Sequence, residues 1–381
     1  NNRFTIFFMI VILASSSNLK TKYPSSERHK SNRGAKGTHA LQRSFNDTLR
    51  KYCGSVIMKK KCAERAVVAW IVIVASSCVF VTGHRARAQE AKTSTTAQGV
   101  FVVFLGTGMP RPDPNRQGPS LAIVANGKAY LFDAGVGVVR QAAAAYARGI
   151  SALHWDQLDI AFLTHLHSDH TLGLPDLIFT PWVMHRPVPL QLYGPAGTQA
   201  MVENIEKAWE EDIDIRVHGL EHNMTGAYKV VVHEVEPGVV YRDANVKVTA
   251  FAVLHGSWKE ALGYRVDVNG KSIVISGDTR PAQSVVDACN GCDILIHEVY
   301  SEAPGKPGAP VEPAPGDQYF RSFHTSAEEL GEIAAKARPK VLVITHYVPL
   351  GNSDQTEMLE GIRKKFNGPV VVANDLEVIS P

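Results

Sequence analysis

The sequence predicts a mixed α/β fold, and three observations carry that prediction. Short apolar, β-branched runs recur through residues 99–381 and alternate with stretches of helical period. Asn126-Gly127 and Asn269-Gly270 each sit between two such runs, the strongest short signal for a hairpin. No period of solenoid length is present, which excludes a repeat array.

The elements follow in order. Val100 to Leu105 reads as a strand ending in the turn Gly106-Thr107-Gly108. Leu121 to Val124 and Ala129 to Phe132 form the first hairpin, and Asp133-Ala134-Gly135 leads into an Ala-rich helix over Val138 to Ala147. Leu158 to Thr164 is a strand. Helices are predicted near Leu174 to Val183 and Gly197 to Glu210, with strands at Leu190 to Tyr193 and Tyr228 to Val235. Val246 to Leu254, Leu262 to Val268 and Ser272 to Ser276 are further strands. The C-terminal third alternates strands at Ile294 to His297, Val341 to Thr345 and Val370 to Val372 with helices at Ser326 to Ala337 and Glu357 to Phe366. Ser301 to Gln318, rich in Pro, Gly and Ala, has no periodicity and reads as a long loop, a candidate lid.

Charge is unevenly placed. Residues 1–88 hold 16 Lys+Arg against 3 Asp+Glu, which leaves 24 basic and 34 acidic residues for the rest, a net charge near −10. An acidic body is a poor match for nucleic acid, so a nucleic-acid partner is not expected. Met58-Lys59-Lys60-Lys61, the apolar run Ala66 to Val81 and then Ala86-Arg87-Ala88 have the order of a secretory signal, with the mature chain starting at Gln89. An uncleaved anchor is the alternative, although the run is shorter than the ~20 residues a spanning helix needs. Phe4 to Ala14 is a second apolar run that could compete as an export signal. Residues 1–57 read as disordered or as an upstream extension, 58–88 as the signal peptide and 89–381 as one domain, in the periplasm or secreted. Only Cys289 and Cys292 fall in that domain, too few for a structural metal site; they are either a short-loop disulfide or two half-buried thiols.

Chemistry concentrates in Thr164-His165-Leu166-His167-Ser168-Asp169-His170, where four ligand-type side chains occupy six residues after an apolar strand. Alternate histidines of an extended segment point the same way, so His165 and His167 can share one ion while the turning chain aims Asp169 and His170 at a neighbour. Imidazole and carboxylate suit zinc, with manganese or iron also possible. Two ions about 3.5–4 Å apart need about seven protein ligands and a shared carboxylate. His255, Asp278 and His346, each closing an apolar strand, supply the remainder, and Asp278 is the natural bridge.

These matches, in this order, resemble the metallo-β-lactamase superfamily and, within it, the ribonuclease Z and arylsulfatase-like branch. Phe104-Leu105-Gly106-Thr107-Gly108, Gly194-Pro195-Ala196-Gly197-Thr198, Gly263-Tyr264-Arg265, Ser276-Gly277-Asp278-Thr279 and Ala373-Asn374-Asp375 extend the resemblance over residues 99–381. It implies a four-layer αββα sandwich with two metals at one edge. One ion would be held by His165, His167 and His255, the other by Asp169, His170 and His346, bridged by Asp278 with Asp133 behind. A hydroxide shared by the ions would attack, oriented by Asp169. The branch's His-Glu-Ala-Thr loop corresponds to His297-Glu298-Val299-Tyr300, so His297 would protonate a leaving oxygen, and His324 would contact an anionic ester group. Thr325 or Ser326 could simply cap the following helix.

For the substrate, the export signal, the acidic body and the direct passage from Gly263-Tyr264-Arg265 to Asp278 argue against a tRNA-processing role, since the tRNA enzymes resembled carry an insertion there. The loop Gly108-Met109-Pro110-Arg111-Pro112 resembles that of exported arylsulfatase-like members, and Arg111 or Arg116 could meet an anion. The expected activity is therefore hydrolysis of sulfate or phosphate esters of small molecules. A ribonuclease Z-type RNA 3′-end endonuclease is the alternative, lactone or β-lactam hydrolysis a third, and a homodimer is left open.

Overall fold

The structure, a computed structural model, describes residues 99–302, 317–351 and 353–381. The predicted extension and signal peptide, and most of the predicted lid, lie outside the described residues.

Two seven-stranded sheets form the centre. The first contains β1 (Val100–Gly106), β2 (Ser120–Ala125), β3 (Lys128–Phe132), β4 (Ile160–Phe162), β5 (Leu190–Gly194) and β6 (Val230–Glu234), in that order, with β14 (Val378–Ile379) paired outside β1. The second runs in space from β13 (Val370–Val372) through β12 (Val341–Leu350), β11 (Ile294–Glu302), β10 (Lys271–Ile275), β9 (Leu262–Val268) and β8 (Lys247–Ala252) to β7 (Gly238–Arg242). The strand β1 shows why its sequence is apolar throughout rather than alternating. Val102 and Phe104 pack between the sheets, whereas Phe101, Val103 and Leu105 face helices on the outside, so both faces are buried.

Helices α1 (Val138–Ala147), α3 (Leu174–Val183), α4 (Thr198–Ala208) and α5 (Glu210–His218) contribute to the apolar layer outside the first sheet. The one-turn α2 (Ser168–Thr171) precedes α3. Outside the second sheet lie α6 (Gln283–Cys289), α8 (Ala327–Ala337) and α9 (Gln355–Arg363). Four layers result, as expected: helix, sheet, sheet, helix. Both α8 and α9 begin with a capping box, Ser326 with Glu329 and Asp354 with Glu357, which satisfies their first free N–H groups. No helix among the described residues is long and apolar enough to cross a membrane.

Several elements depart from the sequence reading. The helix expected to stop at Glu210 is two, α4 and α5, and α5 buries only Ile213, which left it without an apolar stripe to read. The helices α6 and α7 (Asp317–Phe323) and the strands β7 and β14 were unforeseen, all of them short. Cys289 and Cys292 are joined in a disulfide and both are buried, unlike the half-buried thiols considered as an alternative.

Topology places the site. The strands β3, β4 and β5 are mutually parallel, as are β10, β11 and β12, and β8 points the same way as β10 through two antiparallel pairings with β9. Their carboxyl ends converge on one edge of the sandwich, where strand ends present side chains instead of spending them in the core.

Candidate metal centre

The turn after β4 is built before any ligand is considered. Asp133, after β3, holds a left-handed backbone at φ 58° and accepts hydrogen bonds from Thr164 N at 2.8 Å and Thr164 Oγ1 at 2.9–3.0 Å. Its Oδ2 lies 2.8 Å from His170 Nδ1, which turns the other ring nitrogen, Nε2, toward Asp169 and Asp278. Gly277, at φ 61°, lets the chain after β10 pass within contact of Thr164, where a Cβ would stand 2.9 Å from the Thr164 Cβ. The two sheets are thereby locked together beneath the site.

Three imidazoles meet on one side. His165 Nε2 and His255 Nε2 each lie 3.0 Å from His167 Nδ1. A tetrahedral zinc with bonds of ~2.0–2.1 Å separates its ligand atoms by about 3.3 Å, so this spacing is that of a ligand set with little to rearrange. His255 is fixed through its other nitrogen, Nδ1, 2.8 Å from the Phe323 carbonyl, and the Trp258 indole N–H donates to His167 Nε2 at 2.7 Å. On the other side Asp169 Oδ2 stands 3.2 Å from His346 Nε2 and 3.5 Å from His170 Nε2. Asp278 lies between, with Oδ1 3.4 Å from His170 Nε2 and Oδ2 3.5 Å from His346 Nε2 and 4.0 Å from His255 Nε2.

The donor set fits a pair of cations. His165, His167 and His255 form one group whose ligand atoms all lie within 4.8 Å of one another, and Asp169, His170 and His346 form a second. His170 Nε2 is buried without a hydrogen-bond partner among the described residues, and such atoms are rare unless something else satisfies them. A cation between the carboxylates would do so.

His346 departs from its expected place at the end of a strand. It lies inside β12, where the pairing with β11 slips: His297 opposes Ile344, but Val299 opposes Tyr347. The extra residue makes a bulge, His346 adopts φ 45°, and its ring is aimed between the sheets. Local strain of this kind costs on the order of 1–3 kcal/mol and persists where surrounding structure enforces it.

Two histidines expected to be catalytic separate. His297 opposes Ile344 on the face of β11 that meets the helices; its ring is fully buried, with Nδ1 2.6 Å from the Glu298 carbonyl, and burial lowers its pKa. It is therefore a poor proton donor near neutral pH. His324 is at the cage, its Nδ1 3.3 Å from Glu298 Oε2 and 3.9 Å from Asp278 Oδ2. Burial opposes its protonation, but the fields of Glu298 and Asp278 outweigh it and push the pKa up to about 9. Of the two capping candidates, Ser326 and not Thr325 caps α8.

Sequence reasoning missed Glu298, Trp258 and Phe323 as parts of the site. Glu298 is buried and Oε1 accepts from Thr325 N at 3.0 Å, which leaves Oε2 facing His324. Its position next to His297 in the chain was the available signal. Arg116 is not poised for an anion: its guanidinium donates to Thr107 Oγ1, the Ala373 carbonyl and Asn374 Oδ1, holding the opening loop to the C-terminal segment.

Known proteins share this fold. The family model of the β-lactamase superfamily domain matches residues 128–347. Ribonuclease Z of Mycobacterium marinum is 35% identical over 285 residues, covering 73% of this chain and 97% of the relative. The chain belongs to the metallo-β-lactamase superfamily and is ribonuclease Z-like. Human tRNase Z, short form, superposes with a TM-score of 0.52 at 25% identity, covering 74% of this chain and 98% of that one. The metallo-β-lactamase fold protein YhfI from Bacillus subtilis superposes with a TM-score of 0.56 at 18% identity, over 73% and 98%. As a member of the metallo-β-lactamase superfamily the chain is a hydrolase, with a His/Asp cluster able to bind metal.

Proposed function

We propose that this member of the metallo-β-lactamase superfamily is a dinuclear zinc phosphodiesterase of ribonuclease Z type, with RNA as substrate. The observation that carries the reading is the match to a ribonuclease Z along 97% of that relative. The acidic body and the short passage to Asp278 had pointed away from RNA, but the comparison weakens the second argument. The matched stretch is 285 residues long and takes in almost all of the relative, so the relative has little room there for a long insertion this chain lacks.

In this reading His165, His167 and His255 would hold one ion, Asp169, His170 and His346 would hold the other, and Asp278 would contribute to both. When bound, the metal pair supplies Lewis acidity and acidifies water. The chain's own residues do the rest. Asp169, partly open at the mouth, orients the attacking water. His324 carries a proton at neutral pH and Glu298 holds its ring, so His324 delivers that proton to the departing oxygen. His297, held to its neighbour's carbonyl, positions Glu298 from behind.

Hydrolysis of small anionic esters outside the cytoplasm is the second reading. It is favoured by the Cys289–Cys292 disulfide, a bond of oxidising compartments, and by the signal-like order of residues 58–88. The test offers zinc- and manganese-loaded protein a tRNA precursor, an aryl phosphodiester, an aryl sulfate and a lactone. Cleavage of the precursor and the diester is expected; turnover of the sulfate alone would select the second reading.

A further inference from the structure

Beside the cage a groove of about 640 Å³ runs between the loop after β8 and helix α7, lined by Gly256, Ser257, Arg280, Tyr319 and Phe323 among others. Its wall is tied directly to the ligands. His255 meets the Phe323 carbonyl, Gly256 N donates to the Ser322 carbonyl at 2.9 Å, and a Cβ on Gly256 would stand 2.1 Å from the Phe323 ring. Only glycine, here at φ 53°, lets that ring close over the loop.

Two side chains in the groove present open surface. Tyr319 is 48% exposed and stacks on Phe323, with centroids 4.4 Å apart and an angle of 21°. Phe323 lies nearly parallel to His167, 6.3 Å away, so one face of aromatic rings leads from the groove to the ligands. The fields of Asp278 and Asp169, after burial, raise the Tyr319 pKa, as its nearness to the cage requires. Arg280, two residues beyond Asp278, is exposed, and its guanidinium forms no hydrogen bond or ion pair among the described residues. An Arg fork without a carboxylate beside a ring open on one face matches a phosphate attached to a base, because the fork grips phosphate bidentately and any base can stack.

We propose that this groove is a substrate subsite for a nucleotide, its base laid on Tyr319 and its phosphate held by Arg280, next to the ester being cut. The subsite rests on the phosphodiester reading and narrows it: the groups beside the scissile bond are a flat ring and a second anion. Arg280 and Tyr319 set which substrate is taken and perform no bond-breaking step.

The experiment measures binding to full-length zinc-loaded protein by calorimetry, separately from turnover. The probes are thymidine 3′,5′-bisphosphate, thymidine 5′-phosphate and inorganic phosphate. Wild type should hold the bisphosphate about tenfold or more tighter than the monophosphate, the scale of one charge-assisted hydrogen bond. Arg280→Gln should erase that ratio and Arg280→Lys restore part of it. Tyr319→Ser should weaken both nucleotides severalfold and leave inorganic phosphate unchanged. Zinc content equal to wild type certifies each variant as folded at the site. A wild type without the preference, an Arg280→Gln protein that keeps it, or a Tyr319→Ser protein that binds nucleotides normally overturns the subsite. If the preference behaves as stated while no phosphodiester is cut, the subsite stands and the proposed activity falls.

Discussion

Three imidazoles, His165, His167 and His255, face one another on one side of the cage, whereas the other side sets His170 and His346 against Asp169, with Asp278 shared. Burial acts on both sides in the same direction, against a charged ring. On the first side it prevails, and the pKa values of all three fall below the usual 6.5. On the second it is outweighed, for His170 by Asp278 and Asp133 and for His346 by Asp278 and Asp169, and both rise above 6.5. Before metal arrives, then, burial biases the first set toward neutral rings, and the carboxylates bias the second toward protonated ones. A cation held by the first set would displace fewer protons than one held by the second.

The largest effect should come from the residue common to both sides. Asp278→Ala removes the shared carboxylate, and hydrolysis should fall roughly a thousandfold or more, the scale of a lost metal-activated nucleophile, with zinc content by elemental analysis falling on both sides. Unchanged stoichiometry in that variant would break the picture of a bridge. The next test separates the sides: His167→Ala and His346→Ala should each leave about one of two zinc ions, a difference visible in the same measurement. If each variant lost both ions, the cage would be one unit and the comparison would dissolve.

Proton release sharpens the contrast further. Across pH 8 to 6 zinc affinity should fall at both steps, because ligand nitrogens must be deprotonated, and more steeply at the step that fills the His170 and His346 side. Calorimetry in buffers of different ionisation enthalpy counts the protons released; equal counts for the two steps would refute the distinction. The smallest effect lies away from the cage, where the same device serves stability. Asp243 is depressed to about 2: burial opposes its charge, but hydrogen bonds from Tyr130, the backbone of Val246 and Asn245, and Tyr241 outweigh it. Its folded-state value lies below the ordinary 3.8, so its contribution is complete above that value and is lost as pH falls toward 2. Asp243→Asn should therefore lower the melting temperature slightly at pH 6 and make no further difference near pH 2.

How far the sequence could be read follows from how local each feature is. The His165 to His170 turn was legible because its ligands are neighbours in the chain. His255, Asp278 and His346 were legible by a weaker rule, one ligand-type residue after each apolar run, and that rule placed His346 at a strand end when it sits on a bulge within β12. A bulge depends on register between two strands whose paired residues, Ile294 and Val341, stand 47 apart in the chain, which no local pattern encodes. Glu298 and His324 illustrate the same point: each was visible, but their pairing is a tertiary contact. The sandwich itself was readable because β1, β2 and β3 are apolar on both faces, while α5 and α6 carry too little apolar surface to announce themselves.

Anomalous scattering from crystals of the zinc-loaded protein, recorded on both sides of the zinc edge, tests the central claim most directly. Two peaks about 3.5–4 Å apart are predicted, one among His165, His167 and His255 and one among Asp169, His170 and His346, with Asp278 touching both. A single peak, or zinc bound elsewhere with the cage empty, would contradict it.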